Sequence, residues 1–342
     1  MSKALVHGGQ LTTLAKRYGI PAQQWLDLST GIAPEGYPVG ALAAQIWRSL
    51  PEPSAALLEA ASHYYATPHL LPIAGSQSLI QWLPTLCQQQ GYANSAVWLP
   101  LVGYKEHQKA WQQAGYSCCF YQHIDQLKAV AARDIVLLIN PNNPSAALTE
   151  LPESLKLLQQ LSAKSALLIV DEAFMDCTPE HSLMTQLPLD NLLILRSIGK
   201  FFGLAGIRLG FVAAAPHWLD FIAQHFGPWC INGPAQAIAT LALNDQHWQQ
   251  QQRQRLHQLS HALQKLLGDT FGVQPVGTLL FQTIHTSKAQ LLFDALCQHA
   301  VYVRLCDEKD ALRFGIPTPA GLARLSAVFA EPSIQTVLTH QT

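Results

Sequence analysis

The chain has 342 residues, and 21 Lys and Arg against 22 Asp and Glu give it a formal net charge of −1. A chain without net positive charge has no overall attraction to nucleic acid or anionic lipid, so binding to polyanions is not expected. The hydrophobic fraction of 49% excludes an intrinsically disordered protein and suffices for one or two large cores. Charged residues make up only 13%, about half the usual share, which favours an oligomer that covers part of the surface.

The sequence also predicts a cytoplasmic protein without metal or membrane partners. Met1-Ser2-Lys3-Ala4 leads into a polar stretch without an apolar signal core, and the longest aliphatic runs, such as Ile135–Ile139, are far shorter than the ~20 residues that cross a bilayer. The cysteines are odd in number, scattered and without a CxxC pair, so we expect buried reduced thiols at Cys87, Cys118, Cys119, Cys177, Cys230, Cys297 and Cys306.

Short apolar runs alternate with longer amphipathic segments through the middle of the chain, a pattern typical of strands joined by helical crossovers. It predicts an α/β fold with a mostly parallel sheet. We predict helices at Leu79–Gln90, Lys105–Ala114, Leu151–Ala163 and Pro234–Leu243, and strands at Ala96–Leu99, Ile135–Ile139, Leu167–Val170, Leu192–Leu195 and Leu209–Ala213.

The C-terminal third has a different pattern. A long polar helix is predicted from Asp245 to Leu267, because leucines recur there at mostly helical spacing. The rest predicts a smaller α+β lobe, with segments at Val273–Ile284, Leu291–His299, Tyr302–Leu305, Leu312–Ile316 and Pro319–Phe329. We therefore divide the chain into an N-terminal arm with part of the small lobe (1–45), a large domain (46–245), and a linker helix with the C-terminal small domain (246–342).

Several polar groups follow predicted strands directly. Asn143 lies in a proline-rich turn after Ile135–Ile139, and Asp171-Glu172 follows Leu167–Val170. Open α/β sheets bind ligands at these carboxyl ends, although such residues also serve as turn residues and helix caps. Gly75-Ser76-Gln77 opens a helix, whose N-terminal backbone N–H groups can hold a phosphate or simply be capped.

Lys200 stands out among the basic residues. It lies in the apolar, glycine-rich segment from Leu195 to Phe211, directly after a predicted buried strand. Burial and the nearby charge of Arg208 would both disfavour its ammonium form, and a neutral amine can form a Schiff base with an aldehyde. Taken alone, Lys200 is equally well explained as a surface lysine.

The ordered set Gly75-Ser76-Gln77, Tyr104, Asn143-Pro144, Asp171-Glu172-Ala173, Ser197-x-x-Lys200 and Arg208 resembles the pyridoxal-phosphate (PLP) enzymes of the aspartate aminotransferase fold, within the class I and II aminotransferase superfamily. The nearest likeness is to the L-threonine-O-3-phosphate decarboxylases of cobalamin biosynthesis, through His7-Gly8-Gly9, Trp25–Pro34 and Leu195–Phe211. The implied fold is PLP-dependent transferase type I, with a mostly parallel seven-stranded sheet in the large lobe, a smaller α+β lobe and a homodimer.

The resemblance implies a role for each cofactor-site residue. Lys200 would hold the cofactor covalently and later move a proton, and Asp171 would pair with the pyridine nitrogen. Tyr104 would stack on the ring, and His107, three residues later on the same helix face, could support Asp171. Asn143 would donate to the phenolic oxygen. The phosphate would be held by Ser76, Gln77, Ser197 and Arg208.

The resemblance also implies the substrate contacts. Arg313 would grip a carboxylate, and Arg304 would meet a phosphate, together with His7 and Gly8 of the N-terminal arm and Asn143. Both arginines lie in apolar, strand-like contexts, where a cation needs an anion, either a substrate or a structural salt-bridge partner. The implied reaction is decarboxylation of L-threonine O-3-phosphate to (R)-1-amino-2-propanol O-phosphate. The alternatives are transamination of histidinol phosphate or a similar amine, and a non-catalytic sensor of the same fold.

Overall fold

The computed structural model describes Leu5 and residues 7–339. The opening Met1-Ser2-Lys3-Ala4, used above to predict a chain without a secretion signal, lies outside the described residues. The chain forms two compact units. The larger contains Tyr37–Asn143 and Ala147–Gln249, and the smaller contains the described parts of Met1–Gly36 and Gln250–Thr342, together with Pro144–Ala146.

The elements are numbered here in chain order. The strands are β1 Leu26–Leu28, β2 Leu70–Ile73, β3 Ala96–Pro100, β4 Ser117–Tyr121, β5 Ile135–Ile139, β6 Leu167–Asp171, β7 Leu192–Ser197, β8 Gly210–Ala213, β9 Val276–Thr278, β10 Phe281–His285, β11 Val301–Leu305 and β12 Ala311–Gly315. The α-helices are α1 Leu11–Tyr18, α2 Ala44–Arg48, α3 Ala55–Tyr65, α4 Ser76–Cys87, α5 Lys105–Gln113, α6 Leu151–Ser162, α7 Pro216–Phe226, α8 Gly233–Asn244, α9 Gln246–Phe271, α10 Ala289–Gln298, α11 Pro319–Phe329 and α12 Pro332–Thr339.

The larger unit is built on a seven-stranded sheet in the order β2-β8-β7-β6-β5-β3-β4. Its strands from β3 to β7 pair in parallel, whereas β8 runs antiparallel to both β7 and β2. Every residue of β5 and β6 is buried, as expected for interior strands of a parallel sheet covered on both faces. The predicted α/β fold with a mostly parallel seven-stranded sheet is therefore confirmed.

The predicted strands all exist, but the sequence reading missed β2 and β4. These two are the edge strands of the sheet. Edge strands need no continuous apolar run, and β2 even contains Pro72, which interior strands exclude. Some boundaries also moved: the helix predicted to begin at Leu79 begins at Ser76, and the α-helix ends at Cys87 rather than Gln90 because Gln90 and Gly91 leave helical geometry.

The smaller unit has a five-stranded sheet in the order β1-β11-β12-β10-β9. Leu28 of β1 pairs in parallel with Val303 of β11, and the remaining neighbours are antiparallel. Its core combines the inner sheet face with leucines of α9, α10 and α11. The long helix α9 runs to Phe271, four residues beyond the predicted Leu267. Among the described residues, no helix is both long and apolar enough to traverse a membrane.

Candidate active site

A cavity of about 160 Å³ lies at the carboxyl ends of β5, β6 and β7 and the start of α4 in the larger unit. All eight residues that the resemblance assigned to the cofactor line this one cavity, although they are spread over more than 130 residues of the sequence, from Ser76 to Arg208. The lining residues are Gly75, Ser76, Gln77, Tyr104, Ile139, Asn143, Asp171, Ala173, Phe174, Ser197, Lys200 and Arg208.

Asp171, the last residue of β6, is buried and held by two contacts. His107 Nε2 lies 2.8 Å from Asp171 Oδ2, and the Ala173 N–H donates to Oδ1 at 3.0 Å. A carboxylate oxygen only accepts, so His107 presents an Nε2–H to it. His107 is itself buried on α5, which excludes a surface role for that residue. The carboxylate is thus oriented from behind and cannot rotate freely.

Lys200 lies in the turn that follows β7, three residues beyond the end of the strand at Ser197. Its Nζ is 5.4 Å from the centre of the Phe174 ring, which forms an apolar wall without a polar group of its own. Gly199 approaches the backbone of Ala205, where a Cβ would lie 3.0 Å from its Cα. Close packing of this turn therefore fixes the direction in which the lysine leaves the backbone.

Arg208 and the N-terminus of α4 lie side by side and form a positively charged cradle. Gly75 precedes the helix with a φ of +74°, and a Cβ there would lie 2.4 Å from Arg208 Nη2. Only glycine allows this approach, since it combines a positive φ with the absence of a side chain. Gly75 offers no side-chain acceptor to the first turn of α4, whose N–H groups carry a partial positive charge beside the guanidinium.

Tyr104 requires a correction, because it lies before α5 rather than on it. Its backbone is non-helical (φ −68°, ψ 105°), and the helix begins at Lys105. The aromatic ring still reaches the cavity, where its hydroxyl donates to Gln77 Oε1 at 2.9 Å. Its ring meets His107 edge to face at 6.2 Å between centres, so the two side chains are neighbours without sharing a helix face.

A buried ionic cluster next to the cavity was missed by the sequence reading. Arg196 of β7 is 2% exposed, and it contacts Glu172 Oε2 through Nη1 at 2.7 Å and Asp176 through Nη2. Burial alone would lower the pKa of Arg196, but the negative groups around it, Asp176 foremost, hold that pKa above its ordinary value. An arginine within the apolar strand Leu192–Ser197 was the available signal, because a buried cation requires a buried anion.

Four of the five predicted substrate residues, His7, Gly8, Arg304 and Arg313, lie in the smaller unit, whereas Asn143 belongs to the larger unit and lines its cavity. Arg304 and Arg313 are directly opposite each other on β11 and β12, where two like charges would repel without anions nearby. Arg304 forms an ion pair with Asp307 at 2.7 Å, so the salt-bridge alternative raised from sequence does occur for this residue. Arg313 is buried, stacks over Phe281 and donates to the carbonyl of Ser29 at 2.8 Å.

The family follows from comparison with known proteins. The family model for class I and II aminotransferases matches residues 38–328, which include the whole cavity. This chain belongs to the class I and II aminotransferase family. Within this family, it is 40% identical over 333 residues to the threonine-phosphate decarboxylase of Pseudomonas aeruginosa, covering 96% of this chain and 99% of the relative. It is 35% identical over 343 residues to that of a Sinorhizobium species, with the same two coverages.

Solved structures agree on the fold. The L-threonine-O-3-phosphate decarboxylase of Porphyromonas gingivalis has a TM-score of 0.74 at 18% identity, covering 92% of this chain and 99% of the other. The histidinol-phosphate aminotransferase of Sinorhizobium meliloti, solved in complex with pyridoxal-5'-phosphate, also has a TM-score of 0.74, at 19% identity and with coverages of 98% and 95%. The fold expected from the sequence is thereby confirmed.

Proposed function

We propose that this chain binds pyridoxal 5'-phosphate in the cavity of the larger unit and decarboxylates L-threonine O-3-phosphate to (R)-1-amino-2-propanol O-phosphate in cobalamin biosynthesis. The observation that carries the proposal is the convergence of an amine, a fixed carboxylate and an anion cradle, from Lys200, Asp171 and Arg208, on one cavity. Relatives that match almost the full chain and are named threonine-phosphate decarboxylases support this choice of reaction.

The residues present fit this cofactor. The cradle formed by Gly75, Ser76 and Arg208 has the positive charge and the space that a phosphate monoester needs, and Ser197 and Gln77 add polar groups. The carboxylate of Asp171, which lines the same cavity, suits a protonated pyridine nitrogen. When bound, the cofactor supplies an electron sink that stabilises negative charge at the substrate α-carbon.

Each side chain then has a defined task. Lys200 would hold the cofactor covalently through its amine, and the same amine, once free, would return a proton to the substrate α-carbon. Asp171 would keep the pyridine nitrogen of the cofactor protonated, and His107 keeps Asp171 oriented. Tyr104 would cover the cofactor ring, and Asn143 would donate a hydrogen bond to its phenolic oxygen.

For the substrate, we propose that Arg313 binds the carboxylate and that Arg304, His7 and Gly8 bind the phosphate, with Asn143 as a further contact. A bond at the α-carbon breaks when it lies perpendicular to the cofactor ring, so the residues that orient the carboxylate decide between loss of CO₂ and loss of a proton. A separate arginine for each anion would fix the orientation of the substrate carboxylate. Transamination of histidinol phosphate is the alternative.

We also propose a cytoplasmic homodimer. The larger unit exposes large apolar side chains on or close in sequence to two helices that pack together, α2 and α8. Trp47 is 68% and Trp229 is 57% exposed, and Leu50 and Leu241 are exposed as well. A patch of large exposed hydrophobic side chains is typical of a subunit interface. We expect Trp47→Glu to convert the dimer to a monomer in analytical ultracentrifugation, and a wild-type monomer would contradict the proposal.

The test of the reaction measures CO₂ release from L-threonine O-3-phosphate by the holoenzyme, with histidinol phosphate plus 2-oxoglutarate assayed in parallel. We expect gas release that needs no keto acid and disappears in Lys200→Ala. Lys156→Ala, an exposed lysine on α6, is the matched control and should keep full activity. Turnover that requires the keto acid and yields no gas would overturn the assignment in favour of an aminotransferase.

A further inference from the structure

Ser29 links two segments of the smaller unit that are distant in sequence. It is fully buried directly after β1, and its Oγ accepts a hydrogen bond from the Gly9 N–H at 2.8 Å. Its backbone carbonyl accepts from Arg313 Nη2 at 2.8 Å, a second contact at the same residue. The N-terminal His7-Gly8-Gly9 segment and the buried arginine are therefore attached to one serine.

Asp27 fixes the direction of the Ser29 hydroxyl. The side-chain O–H and the backbone N–H of Ser29 both donate to Asp27 Oδ1, at 2.6 Å and 2.9 Å. A hydroxyl has one proton, and donating it to a carboxylate leaves the oxygen lone pairs to accept from Gly9. Without the carboxylate the hydroxyl could rotate and donate elsewhere, which would remove the acceptor that Gly9 needs.

The N-terminal segment fits closely against this pair. A Cβ at Gly8 would lie 2.2 Å from the Ser29 carbonyl oxygen, which is backbone and cannot move aside cheaply. Gly9 has a φ of +77°, and the hydroxyl of Tyr302 donates to the carbonyl of His7 at 3.2 Å. The segment is thus held on both sides of Gly8, with one position for the His7 backbone.

We infer that Asp27 and Ser29 are positioning residues whose side chains hold the His7-Gly8-Gly9 segment in one fixed arrangement beside Arg313, and so set the affinity for the phosphorylated substrate. Neither residue need touch the substrate. The inference rests on the proposed function for the identity of that substrate, but the anchoring itself is a property of the free protein. It predicts an effect on substrate affinity rather than on the chemical step.

The anchoring is tested by amide hydrogen exchange on the holoenzyme. Ser29→Ala removes the acceptor for Gly9 but keeps the carbonyl that Arg313 contacts, so we expect at least a ten-fold faster exchange of the Gly9 amide. Asp27→Ala, at an exposed position, should give a similar change because the hydroxyl needs the carboxylate to keep its direction. Ser260→Ala is the matched control, because Ser260 is also buried in this unit and bonds Thr278 and Gln282 instead. Unchanged exchange in both test variants would overturn the inference.

The effect on affinity is tested with two probes. We expect KM for L-threonine O-3-phosphate to rise about ten-fold in Ser29→Ala and Asp27→Ala while kcat and the absorbance of the bound cofactor stay within two-fold of wild type. Inorganic phosphate binding to the holoenzyme, measured by calorimetry, should weaken in parallel. A kcat loss at constant KM, or faster Gly9 exchange with unchanged affinity for both probes, would refute the positioning role.

These results also separate this inference from the proposed function. If wild-type enzyme releases no CO₂ but its phosphate affinity depends on Ser29, the function is wrong and the positioning role stands. If wild type decarboxylates the substrate and both variants match it in KM and exchange, the function stands and the positioning role is wrong.

Discussion

Replacing Arg196 with methionine should destabilise the larger unit strongly. The change keeps the volume of the side-chain stem but leaves the carboxylates of Glu172 and Asp176, both buried, without their cation. Breaking a buried ion pair from one side costs about 3–5 kcal/mol, out of a total of roughly 5–15 kcal/mol for a folded domain. At about 2–4 °C per kcal/mol for a domain of this size, Tm should fall by about 6–20 °C.

The assay is thermal unfolding followed by circular dichroism, with urea denaturation as a second measurement. Arg255→Met is the control, because the ion pair of Arg255 with Glu35, at 3.1 Å, joins two side chains that are both more than a third exposed. Such a pair is worth about 0–1 kcal/mol, so its loss should lower Tm by no more than about 4 °C. An R196M Tm within 2 °C of wild type would contradict this prediction.

A triple variant examines the cause of that loss. In R196M/E172Q/D176N the two negative charges are removed together with the positive one, so no unpaired buried charge remains. We expect at least half of the lost stability to return, because the main cost comes from an uncompensated charge rather than from loss of the ion pair itself. A triple variant less stable than R196M would show that the carboxylates are needed for other contacts.

Three further predictions concern the cradle, a buried carboxylate and a thiol. Gly75→Ala should displace Arg208 and weaken cofactor affinity about ten-fold in an absorbance titration, whereas Gly115→Ala, with a φ of +83° and nothing within 4 Å, should leave it unchanged. Asp134→Ala should cost about 3 kcal/mol in urea unfolding, since this buried side chain accepts from two backbone N–H groups and an indole; equal stability would refute this. Burial raises the pKa of the Cys306 thiol to about 11, so the unfolded chain loses this proton at a lower pH than the folded chain. The free energy of unfolding should therefore fall between pH ~9 and 11, and it should fall less steeply in Cys306→Ala. A free energy of unfolding that rises over this pH range would contradict the prediction.

The interior of the larger unit was the part of the fold most accessible from sequence. Strand β5 was predicted with its observed boundaries, Ile135–Ile139, because a buried parallel strand needs a short unbroken apolar run. The edge strands β2 and β4 gave no such signal, since only one side of each pairs with the sheet. The short-range hydrophobic pattern therefore predicts strands that are buried on both faces of the sheet, and it predicts the edge strands poorly.

The sequence predicted which residues form the candidate site, but it did not predict the contacts among them. The resemblance named Asp171 and Lys200, and the structure places both at one cavity. The sequence analysis suggested that His107 supports Asp171, but the 2.8 Å contact itself joins positions 64 residues apart and depends on tertiary packing. The same limit applies to Ser29, whose bonds to Gly9 and Arg313 depend on tertiary packing rather than on any local motif.

The most direct test of the central claim is to locate the lysine that carries the cofactor. Holoenzyme is reduced with borohydride, which makes the lysine–cofactor linkage permanent, and the digested protein is examined by mass spectrometry. We expect one phosphopyridoxyl group, on the peptide that contains Lys200, and loss on reduction of the visible absorbance of the lysine–cofactor linkage. Modification of a different lysine, or no modification of a protein that still releases CO₂ from L-threonine O-3-phosphate, would contradict it.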